Sequence, residues 1–473
     1  MNADVLRLCE AVREAGGRAM LVGGSVRDRL LGIDSKDFDI EVYGLEPSRL
    51  RTVLEQIGPV NTVGEHFSVY KLVFYRPAPP QIDDSEQSLS DHTAPQHRFE
   101  IDVSLPRRES KSGHGHRGFV IEGDPAMSFA EAARRRDFTI NAMLYDPLTD
   151  ETSDPYGGGA DLERRVLRAV AADTFIEDSL RVLRAVQLAA RFEMTIDTAT
   201  VELCRTIDLS DLPRERIWGE IEKLLTLAEH PSIGLEASLE LGVLDQLFPE
   251  IRSLVSYKPE EDGHPAEDAF AHTKLSLDEA VRLASDLTKP QRVAVMLATL
   301  CHDLGKPTTS SNAAGASPER DKAAGEPTRA ILNKLGLHAI GGYHVRSQVL
   351  ALVREHLKPS KFYRRRATTT EGDFRRLARR VDIDLLYRVA KACALGRGSA
   401  SSTVAEDWFI ERARAIGVEH GPPAPLLQGR HLLQAGFEPG PQMGKLLRSV
   451  YELQLDGEVT TSEEALAAAH RIS

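Results

Sequence analysis

Apolar positions recur at helical spacing through residues 5–15, and the short run Ala19-Met20-Leu21-Val22 then enters Gly23-Gly24 as a strand would. A second helical stretch, residues 26–31, stops at Gly32, a natural C-cap. Residues 37–43 alternate apolar and polar with period two and predict a strand, as do residues 68–75 and 98–104. Between the last two, residues 76–97 are rich in Pro, Asp, Ser and Gln and predict a surface loop. Beyond Asp150 the pattern changes. Residues 164–188, 215–227, 269–287, 291–304 and 348–357 carry apolar side chains at steps of three and four, so the remainder is expected to be almost wholly helical. Loops rich in Gly, Ser, Pro or charge are expected at 258–267, 307–327 and 396–403. The expected fold class is α+β: a small α/β head with a mixed sheet, followed by an all-helical neck, body and tail.

A chain of 473 residues suggests two to four domains. Its longest apolar run, residues 293–301, falls well short of the about 20 residues a membrane span needs, and predicts a buried helix segment instead. Residues 1–17 lack the basic start and apolar stretch of a secretion signal. Cys9, Cys204, Cys301 and Cys393 lie far apart, which argues against a disulfide framework or a structural zinc site. The expected compartment is therefore a reducing cytoplasm, with no membrane partner. A formal charge of −12 disfavours non-specific coating of nucleic acid. Residues 354–380 nevertheless hold ten Lys/Arg against three Asp/Glu. Two readings stand for that run, a solvated helix face or an RNA contact.

The densest chemistry is Gly23-Gly24-Ser25-Val26-Arg27-Asp28, then Leu30-Leu31-Gly32, then Asp37-Phe38-Asp39. Two glycines at a helix entry let backbone N–H groups approach a polyphosphate, and the helix N-terminus adds partial positive charge. Arg27 can add a full charge there. Asp37 and Asp39, two apart on a strand, project from one face, where hard carboxylates suit Mg²⁺ shared with substrate phosphates.

These residues resemble the class II tRNA nucleotidyltransferases, the CCA-adding enzymes related to bacterial poly(A) polymerases. Further blocks carry the same resemblance in order: Arg135-Arg136-Asp137-Phe138-Thr139-Ile140-Asn141-Ala142, Asp154-Pro155 with Gly157-Gly158 and Asp161-Leu162, Glu177-Asp178-Ser179-Leu180-Arg181 with Arg184, and Glu215-Arg216-Ile217. The resemblance implies template-independent addition of CMP and AMP, from CTP and ATP, to the 3′ end of tRNA. Mg²⁺ held by Asp37 and Asp39 would clamp the attacking hydroxyl and the leaving pyrophosphate. It also implies a third carboxylate on a neighbouring strand, Asp102 or, sharing its face, Glu100. Gly23, Gly24, Arg27, Arg136 and Asp137 would contact the nucleotide. Asp178, Arg181 and Arg184 fall at i, i+3 and i+6, on or near one helix face. A carboxylate beside a guanidinium fork can bond the Watson–Crick edge of cytosine, and a rearranged pattern serves adenine. Gln187 stands where many relatives have a further arginine. Narrower outputs remain open: A-only addition, CC-only addition or poly(A) synthesis.

A second resemblance, to HD-domain phosphohydrolases, rests on His272 and on His302-Asp303. Two imidazoles and a carboxylate can bind a divalent transition metal that activates water. The closing aspartate of that pattern is replaced by Cys393, which points to a degenerate scaffold rather than an added phosphatase. The expected organisation is a catalytic head at 1–148, a base-recognising neck at 149–230, an HD-like body at 231–425 and a helical tail at 426–473.

Overall fold

The computed structural model describes residues 2–34, 38–63, 69–77, 96–111, 119–255, 257, 268–305, 324–398 and 402–473. The chain divides into two compact units, one of residues 1–185 and 192–211, the other of residues 186–191 and 212–473.

The first unit is built on a mixed sheet. Its elements begin with α1 (Ala3–Glu14), β1 (Arg18–Val22), α2 (Gly24–Leu30), β2 (Phe38–Tyr43), α3 (Pro47–Ile57), β3 (Val60–Val63), β4 (Val69–Pro77) and β5 (Gln96–Ser104). A hairpin of β6 (Arg107–Lys111) and β7 (Phe119–Gly123) follows, then α4 (Phe129–Arg134), β8 (Leu144–Asp146) and β9 (Glu151–Ser153). Seven of these strands pair in the order β3-β4-β5-β2-β1-β8-β9. Within this sheet β2 and β5 run parallel, and the other neighbours are antiparallel.

Local sequence explains these elements. The Asn2 side chain accepts the Asp4 N–H and starts α1, whose Val5, Leu8, Cys9 and Val12 repeat at helical spacing and are at most 1% exposed. Met20 and Val22 on β1 join Tyr43, Met127, Ala132, Ala133, Ala142 and Leu144 in one core cluster. Gly23 has φ +73°, a conformation that glycine reaches without strain and that turns β1 directly into α2. Ser25 Oγ donates to the Val22 carbonyl at 2.9 Å and tightens that turn.

The expected continuous helix over 164–188 is not formed. The chain runs instead through α5 (Gly158–Glu163), β10 (Val166–Leu167), α6 (Ala172–Phe175) and α7 (Leu180–Phe192). Arg165 has φ +54°, which ends the helical path, and β10 then pairs in parallel with β11 (Thr195–Ile196). Asp154 explains the Gly-rich block before α5: its two carboxylate oxygens accept the Gly158 and Gly159 N–H groups at 2.7 and 2.9 Å. A Cβ on Gly158 would lie 2.1 Å from the Thr139 carbonyl oxygen, so only glycine fits there.

The helical expectation holds in the second unit. Its elements after α8 (Thr198–Arg205) of the first unit are α9 (Arg214–Leu227), α10 (Pro231–Glu240), α11 (Val243–Leu247), α12 (Pro249–Arg252), α13 (Ala269–Leu283) and α14 (Lys289–Cys301). Then come α15 (Gly325–Lys334), α16 (Val345–Glu355), α17 (Lys358–Arg364), α18 (Glu371–Ala378), α19 (Ile383–Leu395), α20 (Val404–Ala415), α21 (Gly429–Gln434), α22 (Pro441–Asp456) and α23 (Ser462–Ile472). Helices α13, α14 and α19 pack on one another, and α14 also packs on α16. Residues 293–301 are buried, as their apolar run requires. Of the expected loops, 258–267 and 307–323 lie outside the described residues, as do 78–95 and 399–401. No helix among the described residues is long and apolar enough to cross a membrane.

Candidate active site and metal site

Asp39 and Asp102 are register partners across the parallel β2·β5 pair, so both carboxylates leave the sheet on the same face. Asp39 is exposed while the next residue, Ile40, is 1% exposed, the alternation expected at a strand end. Asp37 lies outside the described residues. On the far side of β5, Lys71 is the register partner of Asp102, and its ammonium lies 3.2 Å from Asp102 and 3.4 Å from Glu100. These ion pairs raise the Lys71 pKa above its ordinary value. Lys71 was not evident from the sequence, where it is one polar position in an alternating strand.

The glycine turn borders the same face. A Cβ built on Gly23 would lie 3.0 Å from Arg136 Nη1 and 3.9 Å from Asp39 Oδ2. Bare backbone at Gly23 therefore sits between the Asp39 carboxylate and the Arg136 guanidinium. Gly24 opens α2 beside the Arg27 guanidinium, 3.3 Å from its would-be Cβ. Arg27 itself is 5% exposed; its Nε and Nη2 donate to Asp28 Oδ1 at 2.9 and 2.6 Å, and its Nη1 donates to Asn141 Oδ1 at 2.7 Å. Its guanidinium also covers the Phe192 ring at 4.2 Å. Arg27 thus ties α2 to the Arg135–Ala142 block.

Glu41, two residues beyond Asp39, is 1% exposed. Its Oε1 accepts Arg135 Nη2 at 2.7 Å and lies 4.0 Å from Arg136 Nη2, while Oε2 accepts the Tyr43 hydroxyl at 2.7 Å. Burial pushes this carboxyl up, but the two arginines and the tyrosine outweigh it and hold the pKa below its ordinary value. The network continues. Arg181 Nη2 donates to the Arg135 carbonyl at 2.6 Å, and its Nη1 to the Thr174 carbonyl at 2.8 Å. Glu41 therefore joins the carboxylate strand to Arg181 through Arg135. A sequence signal existed in the third acid of Asp37-Phe38-Asp39-Ile40-Glu41, set against three consecutive arginines at 134–136.

Asp137 is buried and accepts the Phe138 N–H at 2.8 Å, Asn141 Nδ2 at 3.0 Å and Arg184 Nε at 2.6 Å. Burial opposes its charge, yet Arg184 and these hydrogen bonds hold its pKa below the ordinary carboxylate value. Asp178 precedes α7 rather than lying on its face. Its carboxylate accepts the Leu180 N–H at 3.1 Å, and its carbonyl accepts the Arg181 N–H at 3.0 Å. The base-reading candidates thus arrive from a helix start, not from one continuous stripe. Gln187 is 4% exposed.

In the second unit, His272, His302 and Asp303 are 8%, 4% and 3% exposed, and their donor atoms converge. The two Nε2 atoms are 3.2 Å apart, and Asp303 Oδ2 lies 3.3 Å from that of His302 and 3.9 Å from that of His272. His302 Nδ1 is 2.7 Å from the Thr299 carbonyl, which only accepts, so Nδ1 carries a proton, and Nε2 faces the cluster. The donor set and its spacing fit one divalent ion.

The basic run splits into two groups. Arg375, Arg376 and Arg379 pair with Glu371, Glu452 and Asp456, while Arg354 and Arg380 pair with Glu355. Arg364, Arg365 and Arg366 are exposed, with the Arg366 guanidinium 4.6 Å from the Tyr363 ring centre. Five of the ten basic residues are thus ion-paired within the unit, some of them while exposed, and Arg364–Arg366 form a separate exposed group.

Residues 19–168 match the Poly A polymerase head domain, and residues 193–254 match the "probable RNA and SrmB-binding site of polymerase A". Carboxylates on a mixed sheet beside a Gly-Gly helix entry, within that head domain, define a nucleotidyltransferase. The Multifunctional CCA protein of Xanthomonas campestris pv. campestris is 31% identical over 442 residues, covering 91% of this chain and 96% of its own length. That of Xylella fastidiosa is 34% identical over 349 residues, 72% of this chain and 74% of its own. The chain belongs to the multifunctional CCA protein family. The Bacillus stearothermophilus CCA-adding enzyme in complex with CTP has the same fold, with a TM-score of 0.62 at 19% identity over 100% of this chain and 98% of that one.

Proposed function

We propose that this enzyme adds CMP and AMP to the 3′ end of tRNA, with Asp39 and Asp102 as carboxylates of the reacting centre and Asp37 as their partner. The observation that carries the reading is the Asp39–Asp102 register beside Gly23 and Arg136. Oxygen donors of this kind fit Mg²⁺, which when bound neutralises the triphosphate and polarises the attacking hydroxyl. The chain's own residues do the positioning. Gly23 offers a backbone that a phosphate can approach without meeting a side chain. Arg136 supplies positive charge next to it. Glu41 fixes Arg135 and Arg136 and, through the Arg135 carbonyl, Arg181.

Asp178 and Arg181 are the proposed readers of the incoming base, with Arg184 fixing Asp137 behind them. Phosphoryl transfer asks little covalent chemistry of a protein, so alignment and charge account for the rate. Asp102 is preferred over Glu100 because it, and not Glu100, is opposite Asp39 in the ladder. The tRNA partner would be held through its backbone, the exposed Arg364–Arg366 group being one contact. The four-part division into head, neck, HD-like body and tail, and a cytoplasmic location, belong to the same reading. The body is proposed as a scaffold rather than a phosphohydrolase.

Purified enzyme with Mg²⁺, labelled CTP or ATP, and tRNAs ending before, within and after the CCA sequence tests this reading. Addition of two C residues and then A is expected. No 3′ extension with either nucleotide would refute the reading, and addition of only C or only A would narrow it.

A further inference from the structure

We propose that the turn after α17 is a single-stranded RNA site, in which Arg364, Arg365 and Arg366 take the phosphates while Tyr363 and Trp408 stack an unpaired base. The inference rests on the tRNA reading above for the kind of polyanion bound, and adds to it a contact with the base. The chain carries a formal charge of −12, yet these three arginines are exposed and pair with no carboxylate among the described residues. Arg354, Arg375, Arg376, Arg379 and Arg380, in the same basic run, are all held by acids.

The turn that carries the three is fixed by its own hydrogen bonds. The Thr368 and Thr369 N–H groups both donate to the Arg365 carbonyl at 2.9 Å, and Thr369 Oγ1 donates to the Phe362 carbonyl at 3.2 Å. Thr370 then caps α18 by accepting the Asp373 N–H. Phe362 seats the turn from below, its ring 5.1 Å from that of Phe374 and 5.9 Å from that of Phe409, both buried. Cations presented on an ordered turn lose little freedom when an anion binds.

Beside them stands an aromatic pair that is only partly buried. Tyr363 on α17 and Trp408 on α20 meet at 5.7 Å between ring centres, with an interplanar angle of 68°. Arg366 is anchored over Tyr363: its Nη1 donates to the Tyr363 carbonyl at 3.2 Å, and its guanidinium lies 4.6 Å from the ring centre. The C-terminal end of α17 favours nearby cations, which accounts for charge but not for two aromatic rings left partly in solvent. An acidic peptide or an RNA duplex would satisfy the arginines alone. Rings interleaved with arginines fit a strand whose bases are free to stack on them.

The chain has two tryptophans, so Trp218→Phe leaves Trp408 as the one reporter. Titrating that protein with an unstructured ten-nucleotide oligo(A) is expected to quench Trp408 emission to saturation. A duplex RNA of equal charge and a poly-glutamate of equal length should not quench it. Replacing Arg364, Arg365 and Arg366 by Ala should move the quench to higher RNA concentration. By anisotropy of a labelled oligo(A), Tyr363→Leu and Trp408→Leu should each weaken binding by about 5- to 150-fold, the scale of one lost base stack, with the salt slope unchanged. Trp408→Phe, which keeps a ring, should restore most of the affinity, and circular dichroism checks folding throughout. No quench by oligo(A), equal quenching by duplex or poly-glutamate, or leucine variants that bind like wild type would overturn the proposal. CCA addition is scored separately: extension of tRNA without Trp408 quenching overturns this inference alone, and quenching without extension overturns the catalytic reading alone.

Discussion

Asp39 on β2 and Asp102 on β5 face each other in a parallel ladder, and Lys71 meets Asp102 from the strand beyond. The pair is a cross-strand carboxylate couple, with the Lys71 ammonium 3.2 Å from Asp102. Asp102→Asn is therefore expected to lower nucleotide incorporation by about 10³-fold or more, the scale of losing a group that organises transition-state charge. Glu100→Gln should stay within about tenfold, since Glu100 is not opposite Asp39 in the ladder. Steady-state incorporation by the two variants checks this; the reverse order would make Glu100 the third carboxylate.

Glu41 predicts a pH effect. Its folded pKa is held below the ordinary value of 4.5, so its stabilising contribution is complete above that value and is lost as pH falls through the lowered one. Asp137 is shifted in the same direction from 3.8 and adds to the acid sensitivity. Glu41→Gln leaves Arg135 and Arg136 without their buried counter-charge and should cost about 3 kcal/mol near neutral pH. Its stability should also fall less steeply than that of wild type on acidification. Denaturant melts across acidic pH measure both effects.

The same residue predicts a positioning defect. With Arg135 loosened, Arg181 loses one of its two carbonyl anchors, and the choice between correct and incorrect bases should relax. Arg181→Lys, which cannot span both carbonyls and present a planar fork, should reduce discrimination of CTP and ATP against GTP and UTP by roughly 1–3 kcal/mol, or about 5- to 150-fold. Competition assays with all four nucleotides read this directly. An unchanged ratio would remove Arg181 from base selection.

Affinity for tRNA should weaken steeply with added salt. Replacing Arg364, Arg365 and Arg366 by Ala is expected to reduce the slope of log Kd against log salt by about two to three. Arg376→Ala should leave that slope unchanged, because Arg376 is engaged by Glu452 and Asp456. Titrations at several ionic strengths separate the two groups.

Much of this was legible in the chain. The alternation around Asp39, the Gly23-Gly24 turn and the helices expected at 215–227 and 291–304 all follow from short-range pattern; the structure has the two helices at Arg214–Leu227 and Lys289–Cys301. Partnership was not legible. That Glu41 is buried under Arg135 depends on a residue 94 positions away, and no local periodicity encodes it. The expected helix across 164–188 failed because apolar spacing does not reveal the left-handed backbone at Arg165 or the short parallel pairing with Thr195–Ile196. The arginines of 354–380 looked alike in sequence, yet α22 neutralises some and leaves others in solvent.

The most direct test compares wild type with Asp39→Asn on a tRNA lacking its terminal CCA, supplying Mg²⁺ and labelled CTP and ATP and measuring single-turnover 3′ extension. The account predicts C, C and A added in order by wild type and a loss of at least about 10³-fold in the variant, with tRNA affinity and melting temperature retained. Extension by Asp39→Asn at a rate close to wild type would contradict it.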